Sequence, residues 1–122
     1  MIERIEDLPD GVTGLRAGGT LTKDDYVRVL EPALQEGVET GSLRLLFELD
    51  DFEGLAEEAW IEDVKTGLKA YAKQRKAWHR FALVTDVEWV AKATKGFTWL
   101  IPGEAKVFSV AEGEAARAWV AG

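Results

Sequence analysis

Apolar and polar positions along the chain change period several times, and each change predicts an element. Met1–Leu8 alternates loosely, with Ile2 and Ile5 set against Glu3, Arg4 and Glu6. Pro9-Asp10-Gly11 is a turn: Pro presets φ, Asp caps locally and Gly tolerates positive φ. Val12–Leu21 reads as a second strand, weakened by Gly14, Gly18 and Gly19, so the first 21 residues predict a hairpin at one end of a sheet. Thr22-Lys23-Asp24-Asp25 then has the pattern of a capping box, with Asp where Glu or Gln is preferred. Behind it Tyr26, Val29, Leu30, Ala33 and Leu34 fall on one helical stripe. Pro32 predicts a kink there, not a break, because the stripe continues past it, and Gly37 and Gly41 loosen or end the helix.

Leu43–Leu49, LRLLFEL, is nearly continuous apolar sequence and suits a central strand covered on both faces. Asp50-Asp51-Phe52-Glu53-Gly54 is expected to turn out of it. Leu55–Trp78 is the longest helical pattern, with Trp60, Val64, Leu68, Tyr71 and Ala72 on one face. Its acids (Glu57, Glu58, Glu62, Asp63) precede its bases (Lys65, Lys69, Lys73, Arg75, Lys76), an order that complements the helix dipole and serves stability. The apolar run Phe81–Val84 predicts another buried strand. Asp86 is placed to cap the helix that follows, in which Val90, Ala93, Phe97 and Ile101 recur every three or four residues before Pro102-Gly103. Lys106–Val110 is a short strand and Glu112–Val120 a terminal helix, with Ala115, Ala118 and Trp119 as its inward candidates. The order β-β-α-β-α-β-α-β-α implies an α/β fold: a mostly parallel sheet of four or five strands with helices packed on it. No repeat, low-complexity tract or linker divides residues 1–122, so one domain is expected.

Composition narrows the function classes. The chain has 122 residues, 47% hydrophobic and 30% charged, enough for one sizeable core. A formal charge of −7 argues against nucleic acid and against an anionic membrane surface. The absence of cysteine excludes disulfides, thiolate nucleophiles and cysteine metal sites, and fits a reducing compartment. No signal-like start and no run near 20 apolar residues is visible, so a cytoplasmic protein with no integral membrane association is expected.

Catalytic candidates are thin. Ser42 and Ser109 are the only serines and neither lies in a nucleophile elbow, while His79, the only histidine, reads as a partly exposed loop residue. Asp50, Asp51 and Asp86 gather at predicted strand ends, where paired carboxylates can hold a hard cation, but Asp is also a default helix-start residue and capping is the preferred reading. No glycine-rich phosphate loop is present: Gly18-Gly19 matches neither the dinucleotide fingerprint nor the P-loop. No metal and no cofactor is therefore expected. The aromatic load says more. Of five tryptophans, Trp89 and Trp99 lie on one short helix with Phe97, Leu100 and Ile101, more apolar surface than one stripe requires. The surplus needs a cover: ordinary core, a second subunit or a lipophilic ligand.

The chain resembles the SpoIIAA-like family of small bacterial proteins, whose fold is related to STAS and Sec14/CRAL-TRIO domains. The resemblance rests on MIERIEDLPDG, Leu21-Thr22-Lys23-Asp24-Asp25-Tyr26, LRLLFELDDFEG, TGLKAY, FALVTDVEWV and Ile101-Pro102-Gly103-Glu104 before Lys106-Val107-Phe108. It runs essentially end to end and implies a STAS-like single domain without enzymatic activity. Two functions attach to such relatives: carriage of a lipophilic small molecule, and regulation through protein partners in the manner of anti-sigma-factor antagonists. For the first, the predicted second and third helices would form an apolar groove of Trp60, Val64, Leu68 and Tyr71 facing Trp89, Ala93, Phe97 and Leu100. A homodimer through the tryptophan-containing third helix is the other way to cover that surface. For the second, the acidic loop Asp50, Asp51 and Glu53 would face the partner. The phosphorylatable serine of the antagonists has no counterpart, because Asp50–Gly54 contains neither Ser nor Thr.

Overall fold

A computed structural model describes residues 1–55, 75–97 and 103–122. Five strands form one sheet in the order β1 (Ile2–Ile5), β2 (Val12–Leu21), β3 (Leu43–Leu55), β4 (Trp78–Thr85) and β5 (Glu104–Phe108). The β1–β2 pair is antiparallel, as the opening hairpin predicts, and every other pair is parallel. β3 lies at the centre, where its apolar run places it. Because these pairs are parallel, β2, β3, β4 and β5 all end at the same carboxyl edge.

The alternation along β3 divides the interior. Leu43, Leu45, Phe47 and Leu49 point to one face, where they meet Leu15 and Ala17 of β2 and Leu83 of β4. That core is closed by Tyr26, Ala33, Leu34 and Val38, which lie on a continuous helical run of α1 (Lys23–Asp25), a π turn (Tyr26–Leu30) and α2 (Glu31–Glu39). Leu46 points to the other face and joins Ala82 and Val84 of β4 beneath Ala116 and Val120 of α4 (Gly113–Ala121). The remaining helix, α3 (Glu88–Phe97), follows β4 and packs Val90 on the first core.

Pro32 does not break its helix, and the π turn shows how it is accommodated. The Glu31 N–H donates to the Tyr26 carbonyl, one residue further back than in an α-helix. The widened turn eases the clash that a proline ring makes with the carbonyl four residues earlier. Gly37 is inside α2 and buried, its missing Cβ leaving room for Leu43, and Gly41 (φ +79°) follows the C-cap Thr40 as a left-handed terminator.

Several expected boundaries move. Asp50–Gly54 is not a turn, because β3 continues to Leu55 and pairs Phe52, Gly54 and Leu55 with Gly19, Thr20 and Leu21. The run is possible because register shifts after Ala17 and Gly19, with Gly19 (φ +64°), Asp51 (φ +50°) and Gly54 (φ +131°) in the left-handed half of backbone space, absorb the mismatch between the strands. Leu55 therefore belongs to a strand. At the other end of the helix expected over Leu55–Trp78, Arg75–Ala77 is a 3₁₀ turn and Trp78 opens β4; residues 56–74 lie outside the described residues. His79 is exposed but on that strand, not in a loop. β5 starts and ends two residues earlier than expected.

The terminal helix also faces differently. Ala115 and Ala118 are exposed and Ala116 and Val120, one turn apart, are buried, while Trp119 packs at the edge of the second core. Arginines decide this orientation. Arg44 Nη1 on β3 donates to the Val120 carbonyl at 2.9 Å and Arg80 Nη1 on β4 to the Trp119 carbonyl at 2.6 Å, satisfying carbonyls that a helix end leaves free. The Arg80 guanidinium also lies 5.0 Å from the Trp119 ring centroid, a cation–π distance. Arg117, on α4 itself, reaches back to Glu48 of β3: Nη2 and Nε donate to Oε1 at 3.0 and 3.3 Å. The other oxygen of Glu48 takes Nη2 and Nε of Arg16, its register partner on β2, at 3.1 and 3.3 Å.

With a side chain only 15% exposed, Glu48 holds β2, β3 and α4 together through two forked guanidinium contacts. Replacing it with glutamine is expected to cost roughly 1.5–3 kcal/mol, the range for hydrogen bonds to charged groups. Urea denaturation of Glu48→Gln at neutral pH measures the loss; an unchanged midpoint would mean that the two arginines are held by packing alone.

Candidate functional site

The carboxyl edge is the side of an open parallel sheet on which ligands bind, and here it brings together Asp50, Asp51, Glu53, Asp86 and Trp89 of the residues the sequence singled out. At the end of β2 the capping box forms as the pattern predicts. Thr22 Oγ1 accepts from the Asp25 N–H at 3.2 Å, and Asp25 Oδ2 accepts from the Thr22 N–H at 3.0 Å and from its hydroxyl at 3.1 Å. The same oxygen pairs with the Met1 ammonium at 3.2 Å, which also donates to the carbonyls of Gly18 and Thr20. Burial pushes the Asp25 carboxyl up, but the Thr22 N–H, the Met1 ammonium and the Thr22 hydroxyl together outweigh it. The net effect holds Asp25 below the usual carboxylate range.

At the end of β3, Asp50, Asp51 and Glu53 are exposed and stand along one extended strand. Asp50 Oδ1 accepts from the Asp51 N–H at 2.9 Å, so its carboxylate supports the left-handed backbone at Asp51. The backbone carbonyl of Asp50 faces Gly18, where a Cβ would sit 2.7 Å from the oxygen. The acidic stretch is thus a sheet-bound ridge and not a loop.

At the end of β4, Asp86 has a different partner from the one expected. Its Oδ1 accepts from the Val110 N–H at 3.0 Å, reaching across to the 3₁₀ turn Val110–Glu112. The support at the entry to α3 comes from Thr85, whose buried Oγ1 accepts from the Val87 N–H at 3.1 Å. Asp86 still does capping work, but for the element after β5: Val110 is the first residue of that turn and its N–H has no helical acceptor. Ser109, the residue before it, forms a second capping box with Glu112, whose Oε1 accepts from the Ser109 N–H and hydroxyl. These contacts, led by the Ser109 N–H, hold the Glu112 carboxyl below its ordinary value. Ser109 is thereby a structural residue.

Trp89 stands in the first turn of α3 with 57% of its surface exposed, whereas Val90, the next residue, packs into the core. Ala93 and Phe97 follow on the same helix. The other residues of the expected groove, Trp60, Val64, Leu68, Tyr71 and Leu100, lie outside the described residues. Three contributors were not singled out by sequence: Met1, Val27 and Val110 are 54%, 47% and 40% exposed, and all belong to this edge. Met1 lies beside the end of β2, Val27 is in the π turn after it, and Val110 is held by Asp86. For Val27 a signal existed, since it lies off the stripe of Tyr26, Val29 and Leu30 without being polar. Among the described residues no group of three or more His, Asp or Glu is placed to hold a metal ion, and no helix is long and apolar enough to cross a membrane.

A depressed native pKa contributes stability that is present above the unfolded carboxylate range and lost as pH falls through the native value. Asp25→Asn is therefore expected to lower stability by roughly 0.5–1 kcal/mol at neutral pH. The gap to the unmodified chain should close on acidification below about pH 4. Urea midpoints across that range check it; a gap that persists in acid would show that charge at Asp25 is irrelevant.

A family model described as SpoIIAA-like matches residues 12–121. Among solved structures, the chain is similar to an uncharacterised protein with a SpoIIAA-like fold from Shewanella loihica PV-4. The two are 32% identical with a TM-score of 0.65, over 98% of this chain and 90% of that one. No curated protein matches the chain.

Proposed function

The chain belongs to the SpoIIAA-like family, and from that premise we propose that it is a non-catalytic, cytoplasmic binding protein that carries or senses a lipophilic small molecule against α3. The observation that carries this reading is the double loading of that helix. Val90 is committed to the core while Trp89, its neighbour, turns a large ring outward at the edge where α/β sheets bind ligands. Removing apolar surface from water stabilises by roughly 25 cal/mol per Å², so a lipophilic molecule laid along the ring gains affinity from area alone. The residues available there, carboxylates and aromatics without a nucleophile–base pair, suit retention and not turnover.

Native mass spectrometry and lipid extraction of the purified chain test this, followed by tryptophan fluorescence titration with fatty acids. A co-purifying lipid is expected, together with saturable quenching that Trp89→Phe diminishes. Neither appearing would sink the carrier reading, and the same spectra read whether a second copy covers α3.

A second reading is favoured by a separate observation. Asp51 and Glu53 project from an ordered strand with no phosphorylatable residue among Asp50–Gly54, which suits a regulatory interaction module that carries permanent negative charge. A pull-down is expected to recover a stoichiometric protein partner that Asp51→Lys releases. Retention of the partner by that variant would remove the ridge from the interface.

A further inference from the structure

We propose that the carboxyl edge is a docking surface for a basic protein segment, one that offers cationic side chains around an apolar anchor. This rests on the interaction-module reading and gives its partner a chemistry. Two independent distributions coincide at that edge. The first is apolar: the large hydrophobic side chains that are exposed among the described residues, Met1, Val27, Trp89 and Val110, all lie there. None is at the amino edge.

The second is electrostatic. Asp24, Asp50, Asp51, Glu53, Asp86 and Glu88 stand at the same edge, against Lys23 and Arg28, and Arg28 is engaged with Asp24 at 3.0 Å. No ion pair among the described residues answers Asp51, Glu53 or Glu88. At the amino edge Glu6, Asp7, Asp10, Glu39 and Glu104 stand with Lys76 and Arg80, and Arg80 and Glu104 are paired at 3.4 Å. Both edges carry carboxylates, but among the described residues the carboxyl edge is the one where they stand beside exposed large apolar side chains.

This combination restricts the occupant. A neutral protein surface broad enough to cover Trp89, Val110 and the acidic ridge together would bring Asp51, Glu53 and Glu88 toward low dielectric without counter-charges, a cost that a small molecule lying on the Trp89 ring alone does not incur. An anionic surface, whether phosphate backbone or acidic lipid, is repelled outright. A segment whose lysines or arginines flank an apolar residue satisfies both demands, with the aromatic ring as anchor and the carboxylates steering the approach.

The test uses two synthetic amphipathic helical peptides with identical leucine positions, one with lysine at every charged position and one with glutamate. Calorimetry gives affinity and amide chemical shifts give location. The lysine peptide is expected to saturate, with shifts confined to residues at the ends of β2, β3, β4 and β5. Its affinity should fall on the order of tenfold when Asp51→Asn and Glu53→Gln are combined, changes that keep side chains compatible with the local backbone. Trp89→Ala should weaken it as well, and the amino-edge pair Asp10→Asn with Glu39→Gln should leave it unchanged. Equal binding of the glutamate peptide, equal loss from the amino-edge pair, or shifts mapping elsewhere would overturn the inference. A pull-down partner released by Asp51→Lys but contacting this edge through a neutral or acidic segment would also overturn it, leaving the interaction module standing. No partner in the pull-down and no binding of the lysine peptide would overturn both.

Discussion

A strand that is hydrogen-bonded on both sides and covered on both faces has little contact with water, and β3 is that strand here. Its first face meets the demand in the simplest way, with Leu43, Leu45, Phe47 and Leu49 under the helical run that begins at Lys23. Its second face carries Arg44 and Glu48 beside Leu46, and both charged groups have to be answered within the fold. They are answered by α4 and β2: Arg44 donates to the Val120 carbonyl, and Glu48 divides its two oxygens between Arg117 of α4 and Arg16 of β2. The polar groups of the central strand thus specify where a helix of only nine residues sits. Such a short segment has little helical stability of its own, so its position must come from tertiary contacts.

The same strand shapes the candidate site by running too far. β3 continues beyond its match with β4, which ends at Leu49 opposite Thr85, and its last residues pair with β2 alone. A two-stranded extension is marginal by itself. Here it is held by the Met1 ammonium on the carbonyls of Gly18 and Thr20 and by the pairing of Leu21 with Leu55. Its reward is placement: Asp51 and Glu53 stand on ordered backbone clear of the sheet's main body, where a flexible turn would have let them collapse onto nearby cations. Asp86, one strand over, faces the opposite case. Its carboxylate is committed to Val110, tying the end of β4 to the element after β5, and it contributes charge to the edge without freedom to move.

Much of the fold was legible because periodicity reports burial directly. The ends of β2, the central position of β3, the Thr22–Asp25 capping box and the persistence of the helix through Pro32 all follow from short-range pattern and cap chemistry. The failures share a physical cause: they depend on partners distant in sequence. Asp50–Gly54 has turn composition, but it becomes strand because β2 offers Gly19, Thr20 and Leu21 as partners and glycines absorb the register shift. Asp86 precedes a helix and reads as its cap until Val110 is brought within 3.0 Å by the parallel pairing of β4 and β5. Ala116 and Val120 replace Ala115 and Ala118 as the buried face because Arg44, Arg80 and Glu48 fix the rotation of α4, and no local pattern in GEAARAWVA encodes those three residues. At the site, Trp89 was legible from excess apolar load and Val27 from its place off the helical stripe, whereas Met1 and Val110 became visible only when separate strand ends were brought to one edge.

That convergence bears on how net charge is used in reasoning about function. A formal charge of −7 opposes the approach of phosphate-rich surfaces by simple repulsion, and as a sum it says no more. Its distribution says more, because screening confines the influence of each exposed charge to about 8 Å at physiological ionic strength. Within that radius a partner at the amino edge meets carboxylates of the β1–β2 turn and the Arg80–Glu104 pair, but among the described residues no exposed large apolar side chain. A partner at the carboxyl edge meets more carboxylates than cations beside exposed apolar side chains, with Asp25, Asp50 and Asp86 anchored by backbone contacts. Preorganised charge is what makes an electrostatic surface selective, since the cost of ordering it has been met in folding and not at the moment of binding. Trp89 beside such a surface is then more than an apolar excess: its affinity for any occupant is conditional on what that occupant does for the carboxylates around it.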